Sequence, residues 1–184
     1  MHHAFMAAMA QGLLERGIAT LRFQFPYMEQ GSKRTDTPRV AHEAVRAAVA
    51  EAAGRLPGIP LFAGGKSFGG RMTSQAQAIE PLPGVRGLVF VGFPLHPPKK
   101  PGVERAEHLA KVKVPMLLLQ GTRDELAQLD LVRATATGLG KRATLHVVEG
   151  ADHAFHVLVR SGRTGEQVLQ ELPEAMSGWM MAVR

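Results

Sequence analysis

The order of apolar and helix-breaking residues predicts an α/β fold, a mostly parallel sheet with helices on both faces. Three observations lead there. Short apolar runs alternate with longer segments of helical period along the chain. Gly87 to Phe93 (GLVFVGF) and Val114 to Gln120 (VPMLLLQ) are apolar without alternation, as in strands covered on both sides. A short apolar run, Leu61-Phe62-Ala63, enters a glycine turn that opens into a helix, AGGKSFGGR over residues 63–71. At 184 residues the chain is expected to form a single domain, residues 1–184, with one good core.

Each element follows from local pattern. Residues 4–16 space Phe5, Ala8, Met9 and Leu13 as a helix, closed by Gly17. Ile18 to Phe25 (IATLRFQF) alternates and is rich in branched and aromatic residues, so it is expected to be a strand ending at Pro26. A polar loop from Met28 to Thr37 leads to Pro38 and a helix over about residues 38–53. After the Leu61–Ala63 strand and its turn, Met72 to Ile79 is the next helix. The strand Gly87–Phe93 is followed by a proline-rich loop, Pro94 to Gly102, and a short helical piece around Arg105 to Ala110. The strand Val114–Gln120 precedes a helix near 126–138, a strand Thr144–Val148, a turn Gly150–His153 and a C-terminal helix from Gly165.

Composition excludes several functions. With 45% hydrophobic and 21% charged residues the chain has ordinary globular usage. Gly, Pro, Arg or Lys interrupts every apolar run before the ~18 residues of a membrane span. The start, MHHAFMAAMAQGLLERG, has its charges after the apolar part and is not read as a signal peptide. There is no cysteine, hence no disulfide framework and no thiolate metal site, and a cytoplasmic location is expected. The net charge of +6 is scattered, and one Trp and one Tyr offer little base stacking, so neither nucleic acid nor membrane is expected as a partner.

The glycine turn has two readings. Gly65-Lys66-Ser67 ends like a phosphate-binding P-loop, whereas Gly65-Lys66-Ser67-Phe68-Gly69 spells G-x-S-x-G, the elbow that presents a nucleophilic serine. The P-loop requires a glycine at position 60, and Pro60 stands there, with fixed φ and no N–H to cradle phosphate. The elbow suits Gly65 and Gly69, where strand and helix backbones would approach closely. In open α/β sheets, ligands bind beyond the carboxyl ends of the strands. Three reactive side chains follow strands: Ser67, Asp124 and His153. Their order is that of serine nucleophile, acid and base. A serine hydroxyl needs an imidazole to take its proton, and the imidazole needs a carboxylate to hold its tautomer.

Each has a plainer role to weigh against this. Ser67 could cap a helix, Asp124 could cap one beginning near Glu125, and a lone histidine is more often structural than catalytic. Asp130 competes with Asp124 but falls within the expected helix, and His156 competes with His153. Asp152 is expected to shape its turn. Lys66 and Arg71 are expected to be structural or electrostatic, with Lys66 placed to attract an anionic substrate.

Together GGKSFGGRM, LRFQFPYMEQG, FPLHPPKKP with RAEHL, LLLQGTRDE and GADHAFH resemble the small α/β-hydrolases related to the dienelactone hydrolases. Within them the chain is most similar to bacterial relatives of the testis-expressed and KAT8-complex-subunit-3 hydrolase-like proteins. The resemblance spans nearly the whole chain. It implies an α/β-hydrolase fold with a minimal cap, Ser67 as nucleophile, Asp124 as acid, His153 as base and no cofactor. The Phe68 N–H would be one oxyanion donor. Dienelactone hydrolase itself uses a cysteine, absent here. The loop carrying His96 looks like a subgroup feature over the site.

The chain departs from these relatives at its beginning. They place a central strand and glycine-rich turn before the first helix, and that turn supplies the second oxyanion N–H. MHHAFM corresponds to the start of the helix after it, so the chain is expected to lack the N-terminal strand. A natural protein longer by one strand and turn is one expectation; direct pairing of Ile18–Phe25 with Leu61–Ala63 is the other. The expected function is a serine hydrolase acting on a small-molecule ester, thioester or lactone. The alternative is a hydrolase-like interaction module of weak or no activity.

Overall fold

The structure, a computed structural model, describes residues 3–183. Met1 and His2, part of the MHHAFM segment, lie outside the described residues, as does Arg184.

Four strands form one parallel sheet in the order β1 (Leu61–Lys66), β2 (Val85–Val91), β3 (Met116–Gly121), β4 (Ala143–Val148). Alternation along the two apolar strands divides the core, because successive side chains leave a strand on opposite faces. Leu88, Phe90, Met116 and Leu118 pack on one face against helices α3 (Pro38–Arg55), α4 (Phe68–Ile79) and α5 (Leu129–Leu139). Val89, Val91, Leu117 and Leu119 pack on the other, against α1 (Ala4–Leu14) and α6 (Gly165–Ala182). The C-terminal ends of β1, β3 and β4 therefore open on a common edge, where the three reactive residues follow them.

Helix α6 contains Pro173, which sequence reasoning did not anticipate, and begins with a capping box between Thr164 and Gln167. The proline ring packs over Gly12 of α1, where a Cβ would stand 2.6 Å from Pro173 Cγ. Gly12 is thus the contact point between the two helices. Several boundaries differ from expectation for local reasons. Pro26, the expected end of a strand, starts a short turn of helix, α2 (Pro26–Glu29), that runs into the predicted loop, since a proline's fixed φ suits a first helical position. The strand β1 continues through Gly64 and Gly65, and α4 begins at once after Ser67. The segment after the proline-rich loop is 3-10 helix, Glu104–Lys111.

The predicted strand Ile18–Phe25 is not one. It runs outside the sheet, and β1 pairs only with β2, leaving its other edge without a ladder partner among the described residues. Direct pairing of Ile18–Phe25 with β1 is therefore contradicted. Phe25 keeps an extended backbone (φ −73°, ψ 151°) and a buried ring, so its side chains fit a packed surface as their residue types suggest. A strand also needs an edge within hydrogen-bonding distance, and a cleft separates this segment from Gly64 and Gly65.

Candidate active site

Ser67 sits between β1 and α4 with φ +50° and ψ −115°, a conformation a non-glycine residue adopts only under constraint. Two contacts impose it. The Ser67 N–H donates to the Val91 carbonyl at the end of β2, 3.0 Å away. Behind it the strand and helix backbones nearly touch: a Cβ on Gly65 would lie 3.1 Å from the Gly69 carbonyl carbon, and one on Gly70 only 2.7 Å from the Gly65 oxygen. The expected pair, Gly65 and Gly69, is corrected on this point. Gly69 has ordinary room, its nearest neighbour being the Phe25 ring at 3.6 Å, and Gly70 carries the close approach because it faces the strand.

Asp124, His153 and Ser67 converge although 29 and 86 residues separate the paired members. His153 Nδ1 is 2.7 Å from Asp124 Oδ2, and His153 Nε2 is 2.8 Å from Ser67 Oγ. A carboxylate only accepts, so the ring proton lies on Nδ1 and Nε2 is free to accept from the serine hydroxyl. The Asp124 side chain is 0% exposed and that of His153 23% exposed, so the carboxylate is shielded while the imidazole reaches the cleft.

Asp124 does not cap α5, whose N-cap is Gln128. Instead its Oδ1 accepts from the Leu126 N–H (2.8 Å), closing the turn after β3. Its Oδ2 also accepts from the Gln120 amide, whose own oxygen is held by the Phe93 N–H at 3.1 Å. Asp130 lies in the first turn of α5. Asp152 shapes the His153 loop, as expected: its Oδ1 accepts from the Ala154 and His156 N–H groups (2.8 and 2.9 Å). His156 is exposed, and its Nδ1 lies 3.8 Å from Asp152 Oδ2.

Gln120 and Gly92 were not legible as site residues. Gly92, with φ +68°, makes the left-handed turn beneath the His153 ring; a Cβ there would be in ordinary contact with the ring at 3.5 Å, so the backbone conformation and not the space favours glycine. Lys66 is among the residues lining the cleft. Its half-buried ammonium donates to the His153 carbonyl (3.0 Å) and lies over the Phe5 ring, 5.4 Å from its centre. Burial lowers its pKa, and Asp124 and Asp152 offset part of that. Of the structural and electrostatic roles expected for it, the contact with His153 is the structural one, a strap between the elbow and the histidine loop. His96 is buried; its Nε2 accepts from the Gln128 N–H (3.1 Å) and its Nδ1–H donates to the Pro97 carbonyl (2.9 Å). It therefore ties the proline-rich loop to the turn after β3.

Phe68 is the first residue of α4, where a helix leaves its N–H unbonded, and it lines the cleft with Ser67 and His153. The cleft has a volume of about 420 Å³ and is walled by Leu21 to Phe25 on the side opposite β1. Phe25, Tyr27 and Phe68 pack edge to face or stacked, giving it a largely aromatic wall.

A parallel sheet with helices on both faces and an elbow serine after a strand defines an α/β-hydrolase. The chain belongs to this class: a family model for an alpha/beta hydrolase domain matches residues 1–181. Solved structures agree in fold. An alpha-beta serine hydrolase homologue from Coxiella burnetii superposes with a TM-score of 0.74 at 22% identity, covering 96% of this chain and 76% of that one. A serine hydrolase without lid from Xanthomonas campestris gives 0.73 at 22% identity, covering 97% and 75%. Est1E from Butyrivibrio proteoclasticus with bound ferulic acid gives 0.70 at 18% identity, covering 99% and 84%. Among the described residues no helix is long and apolar enough to cross a membrane.

Proposed function

We propose that the protein is a serine hydrolase that cleaves a small carboxylic ester, thioester or lactone through an acyl-enzyme. The observation that carries this reading is the continuous relay Asp124–His153–Ser67, at 2.7 and 2.8 Å, on a serine held at positive φ. Ser67 Oγ would attack the carbonyl carbon as His153 Nε2 takes its proton, and the carbonyl π pair would move onto oxygen. The Phe68 N–H would donate to that oxyanion. Collapse would expel the alcohol, which takes the proton from His153. Water, deprotonated by His153, would then attack the acyl carbon and regenerate Ser67. Asp124 would hold the tautomer and stabilise the imidazolium. The apolar cleft suits an apolar acyl or alcohol group. The finer kinship, with dienelactone-hydrolase-like proteins, rests on the shared motifs; a cytoplasmic location rests on the lack of cysteine and a single domain on the length of 184 residues.

The test compares short-chain 4-nitrophenyl esters on wild type and Ser67→Ala. Wild type should turn over and the variant should lose about 10⁴-fold or more; equal rates would remove the nucleophile assignment. A second reading, an interaction module of weak activity, is favoured by the edge of β1 that has no ladder partner among the described residues and could pair with a partner strand. Covalent labelling of Ser67 by a fluorophosphonate supports the hydrolase; a folded protein that does not label supports the module.

A further inference from the structure

The cleft beside Ser67 is bounded by two stretches of backbone, and both have hydrogen-bonding groups to spare. On one side is the edge of β1 that has no ladder partner among the described residues. Gly64 and Gly65 line the cleft there, and having no side chains they do so with backbone atoms. On the other side is the wall Leu21 to Phe25, with Phe25 extended at its end. Ala19 to Gln24 make no backbone–backbone hydrogen bond among the described residues. A strand edge of this kind presents a row of N–H and C=O groups that another extended chain can pair with.

The side chains of the wall divide by polarity, because they alternate along an extended chain. Leu21, Phe23 and Phe25 share one side. There the Phe23 and Phe25 rings meet at 5.3 Å, and Phe25 meets Phe68 of α4 at 5.3 Å. Arg22 and Gln24 take the other side. Arg22 is half-buried, and among the described residues no carboxylate lies within ion-pair distance of it. The cleft lining includes Arg22 and Lys66 but no Asp or Glu, on a chain of net charge +6.

Two facing backbone edges, one apolar side and one cationic side define the chemistry of an occupant. The geometry points to a peptide-binding slot: an extended segment of another protein, about five residues long and alternating apolar with acidic side chains, lies between β1 and Leu21–Phe25 as an added strand. Its backbone pairs with both walls, its apolar side chains face Phe23, Phe25 and Phe68, and its carboxylates face Arg22. The inference deepens the interaction reading and rests on the same edge of β1. It involves no covalent step and makes no use of whether Ser67 reacts.

The test is fluorescence anisotropy of the full chain with a fluorescein-labelled peptide of alternating valine and glutamate. Successive amides of a strand point to opposite edges, so N-methylation of alternate amides blocks one edge of the peptide, and methylation of the intervening amides blocks the other. The unmodified peptide should bind, and each methylated form should bind about tenfold more weakly or worse. A peptide of alternating valine and lysine should also be weaker by about tenfold, and Arg22→Gln should shrink that difference. Should Arg22→Gln fail to fold, as read by circular dichroism, the lysine peptide on wild type decides the charge claim. No binding of the glutamate peptide, equal binding of the lysine peptide, or binding that survives either methylation overturns the slot. Loss on methylating one edge alone is distinct: the slot then falls, while pairing at a single edge, which the interaction reading requires, stands.

Discussion

Replacing Asp124 by asparagine tests the relay through its hydrogen bonds. The carboxylate accepts three: from Leu126 N–H on Oδ1, and from Gln120 and His153 Nδ1–H on Oδ2. Gln120 cannot turn to help, because its oxygen is held by Phe93 N–H. Asparagine therefore has two poses, and each sets one pair of donors facing each other. With its oxygen toward His153, its amide group meets the Leu126 N–H. With its amide toward His153, it meets the Gln120 amide and forces the ring proton onto Nε2, where it cannot accept from Ser67. One buried donor left unpaired costs about 1–3 kcal/mol, so the urea midpoint should fall accordingly. The wrong tautomer, with the loss of the negative charge, should reduce kcat by ~10⁴, about 5 kcal/mol of transition-state stabilisation. The assay is kcat on a short-chain 4-nitrophenyl ester beside urea unfolding of both proteins. An Asn variant within tenfold of wild-type kcat would show the relay reasoning to be wrong.

Two adjacent glycines should respond oppositely. Gly70→Ala should destabilise by about 1–3 kcal/mol, as its Cβ would stand 2.7 Å from the Gly65 oxygen and 3.3 Å from Phe90. Gly69→Ala meets only the Phe25 ring at 3.6 Å and should be neutral or gain up to about 1 kcal/mol from helix propensity; the same sign for both in urea unfolding would refute the elbow geometry. Stability should also decline in acid through His108. Its folded pKa, about 4, lies below the ordinary 6.5, so the unfolded chain takes up the proton first. The stability this neutral ring supports is complete above about pH 6.5 and lost as pH falls toward 4. The urea midpoint of wild type relative to His108→Gln should drop over that window, and a difference independent of pH would refute it.

Much of this molecule follows from local sequence. The apolar runs of β2 and β3, the glycine turn after β1 and the Ser–Asp–His order are set within short windows, where backbone sterics and side-chain periodicity act on neighbours alone. Pro60 excludes a phosphate loop by the same local argument. Tertiary structure decided whatever depends on a second segment. Ile18–Phe25 has the residues of a strand but no edge within hydrogen-bonding distance, since the cleft stands between it and β1, and hydrogen bonds between strands belong to two segments and not one. Gly70 rather than Gly69 faces the strand, a matter of how α4 is rotated against β1. Lys66 is bound to the carbonyl of His153, a residue 87 positions away. The sequence by itself determined which reactive groups the chain carries and in what order; only the folded arrangement decided which of them meet, since the distances that make a hydrogen bond or leave a charge unpaired are fixed by packing between segments far apart in the chain.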